Sequence, residues 1–163
     1  MNEDRKIEIQ IKSKSRVKDY GEVFTNEREV KSMCDLIPAE VWDNINSSFL
    51  EPCCGEGVFI LEILKRKFAR CKKRKDFTAA LNSVYGMDIQ ADNVEVCIKN
   101  IIDLCENNFK ITQAERQIIS DHIMQADSLK VMKLLEENEK ILSVKDKSYC
   151  PNCRQAIDWS DEI

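Results

Sequence analysis

The chain has 163 residues, 43% apolar and 33% charged, with four Gly and three Pro, a composition that excludes disordered and fibrous classes and suits one domain with a real core. No apolar run approaches the ~20 residues of a membrane span, and the charged start Met1–Lys6 is no signal peptide, so a cytoplasmic protein without membrane contact is expected. A net charge of −4 is not that of a free-standing nucleic-acid binder, and eight Cys without a secretion signal read as thiols rather than a disulfide framework.

The opening residues alternate, Ile7-Glu8-Ile9-Gln10-Ile11, as a short strand or extended arm would. Asn26 and Glu29 have capping-box spacing, and Val30, Met33, Cys34 and Ile37 recur at helical intervals up to Pro38, which predicts a helix of about three turns. Ser48-Phe49-Leu50 then reads as a short strand that breaks at Glu51-Pro52-Cys53-Cys54-Gly55-Glu56-Gly57. A helix follows at once with Phe59, Ile60, Ile63, Leu64 and Phe68 on one stripe.

Residues 65–75 carry eight basic side chains in eleven positions, either a solvated helix face or a phosphate-contacting patch. Val84–Ile89 is a second strand ending in Asp88, followed by a helix with Val94, Ile98, Ile101 and Cys105 inward. Thr112-Gln113-Ala114-Glu115 is a capping box that opens an extra helix. His122–Asp127 reads as a third strand, again ending in an acid, and Val131, Leu134 and Leu135 mark a last helix. This alternation predicts an α/β fold with a parallel sheet flanked by helices and ligands at the carboxyl ends of the strands.

Three acids therefore stand at three predicted strand ends: Glu51, Asp88 and Asp127. Between the first strand and its helix lie Gly55 and Gly57, which suit a tight turn that approaches a ligand closely. The third Gly of the dinucleotide fingerprint is replaced by Ile60, and no phosphate-cradling Gly-rich loop ending in Lys-Ser/Thr exists. A turn that opens with a carboxylate repels a pyrophosphate and suits an ammonium-bearing nucleoside, as S-adenosylmethionine is.

These residues carry a family resemblance. Glu51-Pro52-Cys53-Cys54-Gly55-Glu56-Gly57-Val58-Phe59 resembles the first motif of the adenine-N6 DNA methyltransferases, acid-Pro-x-x-Gly-x-Gly-x-Phe. Tyr20-Gly21-Glu22-Val23-Phe24-Thr25 is similar to the segment that precedes it, with Asn26 where the family has Pro. Gly86-Met87-Asp88-Ile89 and Gln125-Ala126-Asp127-Ser128-Leu129 resemble the second and third motifs, so the likeness covers residues 15–135 in the family's order.

The resemblance implies a Rossmann-like S-adenosylmethionine-dependent methyltransferase fold, incomplete at its C-terminal side. The domains expected are an N-terminal arm at 1–18, the cofactor domain at 19–142 and a tail at 143–163. It implies a cofactor set of Tyr20, Gly21, Phe24, Thr25, Glu51, Pro52, Cys53, Gly55, Gly57, Phe59, Asp88, Ile89, Asp127 and Ser128. In that set Thr25 and Glu51 hold the methionine end, Asp88 the ribose hydroxyls, Ile89 an adenine face and Asp127 the exocyclic amine. Asp88 and Asp127 equally suit helix caps, and Thr25 a plain helix start.

The family's catalytic Asp/Asn/Ser-Pro-Pro-aromatic segment is missing, since no Pro-Pro occurs, and no catalytic residue can be named. DNA is the expected partner, met through the 65–75 run or through another chain. Without a fourth strand the first becomes an edge, to be covered by the 141–163 tail, a second copy or a complementing methyltransferase subunit. The rival function is a non-catalytic subunit that pairs with a complete methyltransferase, and an RNA- or protein-directed enzyme shares the same pocket. Cys150 and Cys153 have zinc-knuckle spacing but form only half a site, so no metal is expected and a reduced thiol pair is the alternative.

Overall fold

The computed structural model describes residues 12–20 and 22–137. The predicted alternating stretch at 7–11, Gly21, and the tail with Cys150 and Cys153 lie outside the described residues. Three strands, β1 (Phe49–Glu51), β2 (Val84–Asp88) and β3 (Ile123–Gln125), form a parallel sheet in the order β1-β2-β3. The register pairs Leu50 with Tyr85 and Met87 with Met124. The chain is thus α/β, a helix-flanked parallel sheet compatible with a Rossmann-like fold. Among the described residues β1 has a strand neighbour on one side only, and its Leu50 is 47% exposed.

Helix α1 (Lys14–Tyr20) precedes α2 (Glu27–Cys34) and the short α3 (Ala39–Asp43). The predicted start at Asn26 is met, with Asn26 Oδ1 accepting from the Arg28 amide at 2.8 Å while Glu29 pairs with Arg28. Helix α1 has no counterpart in the sequence reading, and it runs across the position where the N-terminal arm was expected to end.

Helices α4 (Val58–Phe68) and α5 (Arg74–Leu81) connect β1 to β2, and α6 (Ala91–Glu106) and α7 (Gln113–His122) connect β2 to β3. Successive strand residues face opposite ways. Gly86 faces α4 so closely that a Cβ there would lie 2.5 Å from Ile60 Cδ1. Met87 faces the other side, where it is buried with Ala126, just past β3, and with Val131 of α8 (Ser128–Glu137).

The main core lies on the Gly86 face. Ile60, Leu64, Val84, Cys97, Ile101, Cys105, Ile119 and Ile123 are buried there, each Cys packed as a small hydrophobe. Inward positions shift slightly from expectation: Cys97 is fully buried, while Ile98 and Phe59 are only partly buried and pack against the edge of the core. The predicted capping box is present, with Thr112 Oγ1 accepting from the Glu115 amide and the Thr112 amide donating to Glu115 Oε2 at 2.9 Å. The third strand is shorter than predicted, because His122 is still the last residue of α7.

The basic run at 65–75 divides in two. Arg66 pairs with Glu62 and Asp35, Arg70 with Asp43, and Arg74 with Glu115. Lys67 is fully buried and donates to the carbonyls of Ile45 at 2.9 Å and Ser47 at 2.8 Å. Lys65, Lys72, Lys73 and Lys75 remain on the surface. Half of the apparent patch is therefore structural. Among the described residues no helix is long and apolar enough to cross a membrane.

Candidate functional site

The carboxyl ends of the three strands open into one cleft of about 650 Å³. Glu51 is the last residue of β1, Asp88 the last of β2, and Asp127 follows β3 by two positions. All three line the cleft, together with Phe24, Thr25, Pro52, Cys53, Gly55, Phe59, Ile89 and Ser128 from the expected set. Gly57 lies beneath the lining and is buried. Gly21 and the Tyr20 side chain lie outside the described residues.

The turn after β1 is tied to the rest of the sheet. The Cys54 amide donates to Met87 O at 2.8 Å, which extends the β1–β2 pairing past the strand end. Gly55 and Gly57 have φ of 52° and 93°, a left-handed region that side chains disfavour. The Gly55 amide donates to Asp88 Oδ2 at 2.9 Å. Asp88 Oδ1 accepts from the Gln90 amide at 2.8 Å and from Asn93 Nδ2 at 3.2 Å. Asp88 is thus the acid at the strand end and also a local anchor for the start of α6, whose N-cap is Gln90 rather than Asp88.

Asp127 shows the same duality. Its Oδ1 caps α8 by accepting from the Leu129 and Lys130 amides at 3.1 and 3.3 Å, and the residue still lines the cleft. Glu51 Oε1 accepts from the Cys53 amide at 3.1 Å, and among the described residues no Lys or Arg pairs with Glu51. Val23, Ile89 and Leu129 expose large apolar surface at the cleft, which suits contact with a flat ring. Cys53 Sγ faces Ser128 Oγ at 3.9 Å. Beneath them a hydrogen bond with Cys97, and then burial, push the Cys54 thiol far up, so it stays a neutral packing group rather than a nucleophile.

One whole layer of the site escaped the sequence reading. The segment leading into α1 and its first turns clamp onto the start of α6. Arg16 spans Asp92 with two bonds of 2.7 and 3.1 Å and pairs with Glu22, while Lys12 bonds Glu56 at 2.9 Å, Asp92 at 3.2 Å and Asn93 Oδ1 at 2.6 Å. The bond from Arg16, reinforced by Lys12, pulls the Asp92 carboxyl down to about 2. Burial works against the Lys12 ammonium, yet its bonds to Glu56 and Asp92 hold its pKa above the ordinary value. The only sequence trace of this clamp is the i,i+4 spacing of Lys12 and Arg16.

Among the described residues the lining holds five carboxylates, from Glu22, Glu51, Glu56, Asp88 and Asp127, and no Lys or Arg; Glu22 is paired with Arg16 and Glu56 with Lys12, which leaves Glu51, Asp88 and Asp127 without a basic partner. Such a wall attracts cations and hydrogen-bond donors and disfavours phosphates.

The chain is 28% identical over 93 residues to the Type II methyltransferase M.VspI of Vibrio sp. (strain 343), a stretch that is 57% of this chain. It spans about a fifth (19%) of the length of that relative. No protein-family model and no solved structure matches the chain. The similarity supports a methyltransferase relationship.

Proposed function

We propose that the cleft binds S-adenosylmethionine and that the chain is the cofactor half of an adenine-N6 DNA methyltransferase of a restriction-modification or phage system. The observation that carries the reading is the lining itself: three acids at or just past the strand ends around a two-glycine turn, with no basic side chain on the wall among the described residues. A dinucleotide or a nucleoside triphosphate would bring several negative charges to a wall that carries the same sign. The cofactor instead brings an ammonium, two ribose hydroxyls and an exocyclic amine suited to carboxylates, together with a sulfonium, and its one carboxylate leaves it with a net positive charge.

When bound, the cofactor supplies an activated methyl group. This chain's own residues bind and orient it. Glu51, without a basic partner among the described residues, offers net negative charge to the ammonium. Asp88 accepts from the sugar, Ile89 and the exposed apolar rim flank the base, and Asp127 accepts from the amine. Methyl transfer between two held groups depends on proximity and water exclusion more than on an acid–base pair. No residue of this chain is assigned to polarising the target adenine, since the sequence contains no Pro-Pro-aromatic segment. We assign that role to a complementing catalytic half, for which the side of β1 that has no strand neighbour among the described residues is a docking edge.

The missing segment also favours a second reading, a non-catalytic subunit that binds the cofactor and pairs with a complete methyltransferase. Titration calorimetry with S-adenosylmethionine tests the cofactor site: micromolar binding is expected, and no binding refutes it. Transfer of labelled methyl to DNA, by the chain alone and with a complementing subunit, separates the readings. Turnover only in the mixture with a subunit that is inactive alone indicates a split enzyme; turnover that does not change when this chain is omitted indicates the non-catalytic subunit.

A further inference from the structure

Glu22 occupies a variable position in the resemblance at 20–25, and nothing in the sequence marks it as a ligand contact. Its side chain is only 10% exposed, and its Oε2 pairs with Arg16 Nε. Its Oε1 is buried, and no donor among the described residues reaches it. A buried carboxylate oxygen without a donor is costly, and such groups in a cleft wall call for a partner that arrives with the ligand. Glu22 lines the cleft, and so does Phe24 two residues on, which lies against Gly55.

Asp88 supplies the reason for a second acceptor. A carboxylate offers about four lone-pair sites. Three on Asp88 are already filled by the Gly55 amide, the Gln90 amide and Asn93. One remains, too few for the two neighbouring hydroxyls of a ribose. Glu22 is joined to Asp88 by a short relay: Arg16 Nη2 donates to Asn93 Oδ1 at 3.4 Å, and Asn93 Nδ2 donates to Asp88. Because Arg16 neutralises Glu22, its inward oxygen suits a neutral donor such as a hydroxyl, whereas the unpaired charge of Glu51 suits a cation.

We infer that Glu22 is a ligand-binding residue that shares the ribose hydroxyls of the bound nucleoside with Asp88, its Oε1 accepting from one of them. The inference rests on the nucleoside-cofactor reading above and adds a determinant for ribose to it. It also links the N-terminal clamp to occupancy, since the same carboxylate holds Arg16 and the ligand.

The test is titration calorimetry on the full chain, wild type against Glu22→Gln, with S-adenosylmethionine, adenosine and 2′,3′-dideoxyadenosine as probes. The amide keeps size and an acceptor for Arg16 but removes the carboxylate. A loss of about tenfold or more is expected for the two ribose ligands, with the dideoxy compound within about twofold of wild type. Equal loss on all three probes, or no loss, overturns the inference. Wild type that binds adenosine but not S-adenosylmethionine refutes the cofactor reading and leaves Glu22 to be judged on adenosine. Wild type that binds none of the three overturns both. Should Glu22→Gln fail to fold, Glu22→Asp retracts the same oxygen with the charge kept and must show the same selective loss.

Discussion

The Gly55 amide donates to Asp88 Oδ2 at 2.9 Å, and with the Cys54 amide on Met87 O this bond joins the turn after β1 to the end of β2. The acid at the second strand end therefore shapes the turn before any ligand arrives. Replacing Asp88 by Ala removes acceptors for Gly55, Gln90 and Asn93 at once. We expect a stability loss of ~1–3 kcal/mol and a cofactor affinity at least tenfold weaker. Urea unfolding and calorimetry read the two effects separately, and an unchanged dissociation constant would remove Asp88 from the site.

Gly57 opens α4 with φ of 93°, and a Cβ there would lie 2.6 Å from Cys97 Sγ. Two penalties are thus expected for Gly57→Ala: left-handed strain of ~1–2 kcal/mol and an overpacking term of ~1–3 kcal/mol. Cys97→Ala vacates the sulfur and relieves only the second. In a double-mutant cycle the pair should destabilise by at least ~1 kcal/mol less than the sum of the single changes. Strict additivity would show that the contact is absent.

Glu115 is 2% exposed and receives Arg74 Nη1 at 2.6 Å, Thr78 Oγ1 at 2.6 Å and the Thr112 amide at 2.9 Å, which ties α5 to α7. The Arg74 bond, against the cost of burial and helped by the Thr bonds, draws its carboxyl down to about 2. A carboxyl that ionises more readily when folded adds stability in full above its ordinary pKa of about 4.5, and that share is lost as pH falls from there towards about 2. Glu115→Gln should be less stable than wild type by ~1–3 kcal/mol at pH 7, and the gap should narrow steadily below pH 4.5. A gap that stays constant down to pH 2 would contradict the assignment.

The parts of this architecture that were legible in the sequence are those with local signals. The strand–turn–helix at 49–60 is punctuated by Pro and Gly, and Thr112–Glu115 satisfies its own cap within one turn. Glu51 and Asp88 end their strands as expected because each follows a short apolar run, whereas Asp127 stands two positions beyond β3. The parts that stayed hidden depend on contacts between distant segments. Arg16 and Asp92 are 76 positions apart, so the clamp has no local trace beyond spacing. Helix α5 was masked by the charge run at its start, although Ala80 and Leu81 give it a buried face. The buried Oε1 of Glu22 has no donor among the described residues, a property that no residue pattern encodes.

Lys67 shows how far composition alone misleads within the basic run. Its ammonium lies 5.0 Å from the Phe49 ring centroid and bonds the Ile45 and Ser47 carbonyls just ahead of β1, so it holds the entry to the edge strand. Burial pulls its pKa from 10.5 down to about 8, with the nearby Cys71 opposing slightly. Above about pH 8 the folded chain gives up this proton, whereas the unfolded chain keeps it until about 10.5. The unfolded state then binds more protons, and stability contributed at this position rises with pH across that window and is flat below it. The wild type should therefore gain on Lys67→Met by ~1–3 kcal/mol between pH 7.5 and pH 10 in urea unfolding, the variant having no such proton to lose. A difference that is the same at both pH values would mean that the ammonium is solvated, and that the carbonyls at 45 and 47 are not what positions β1.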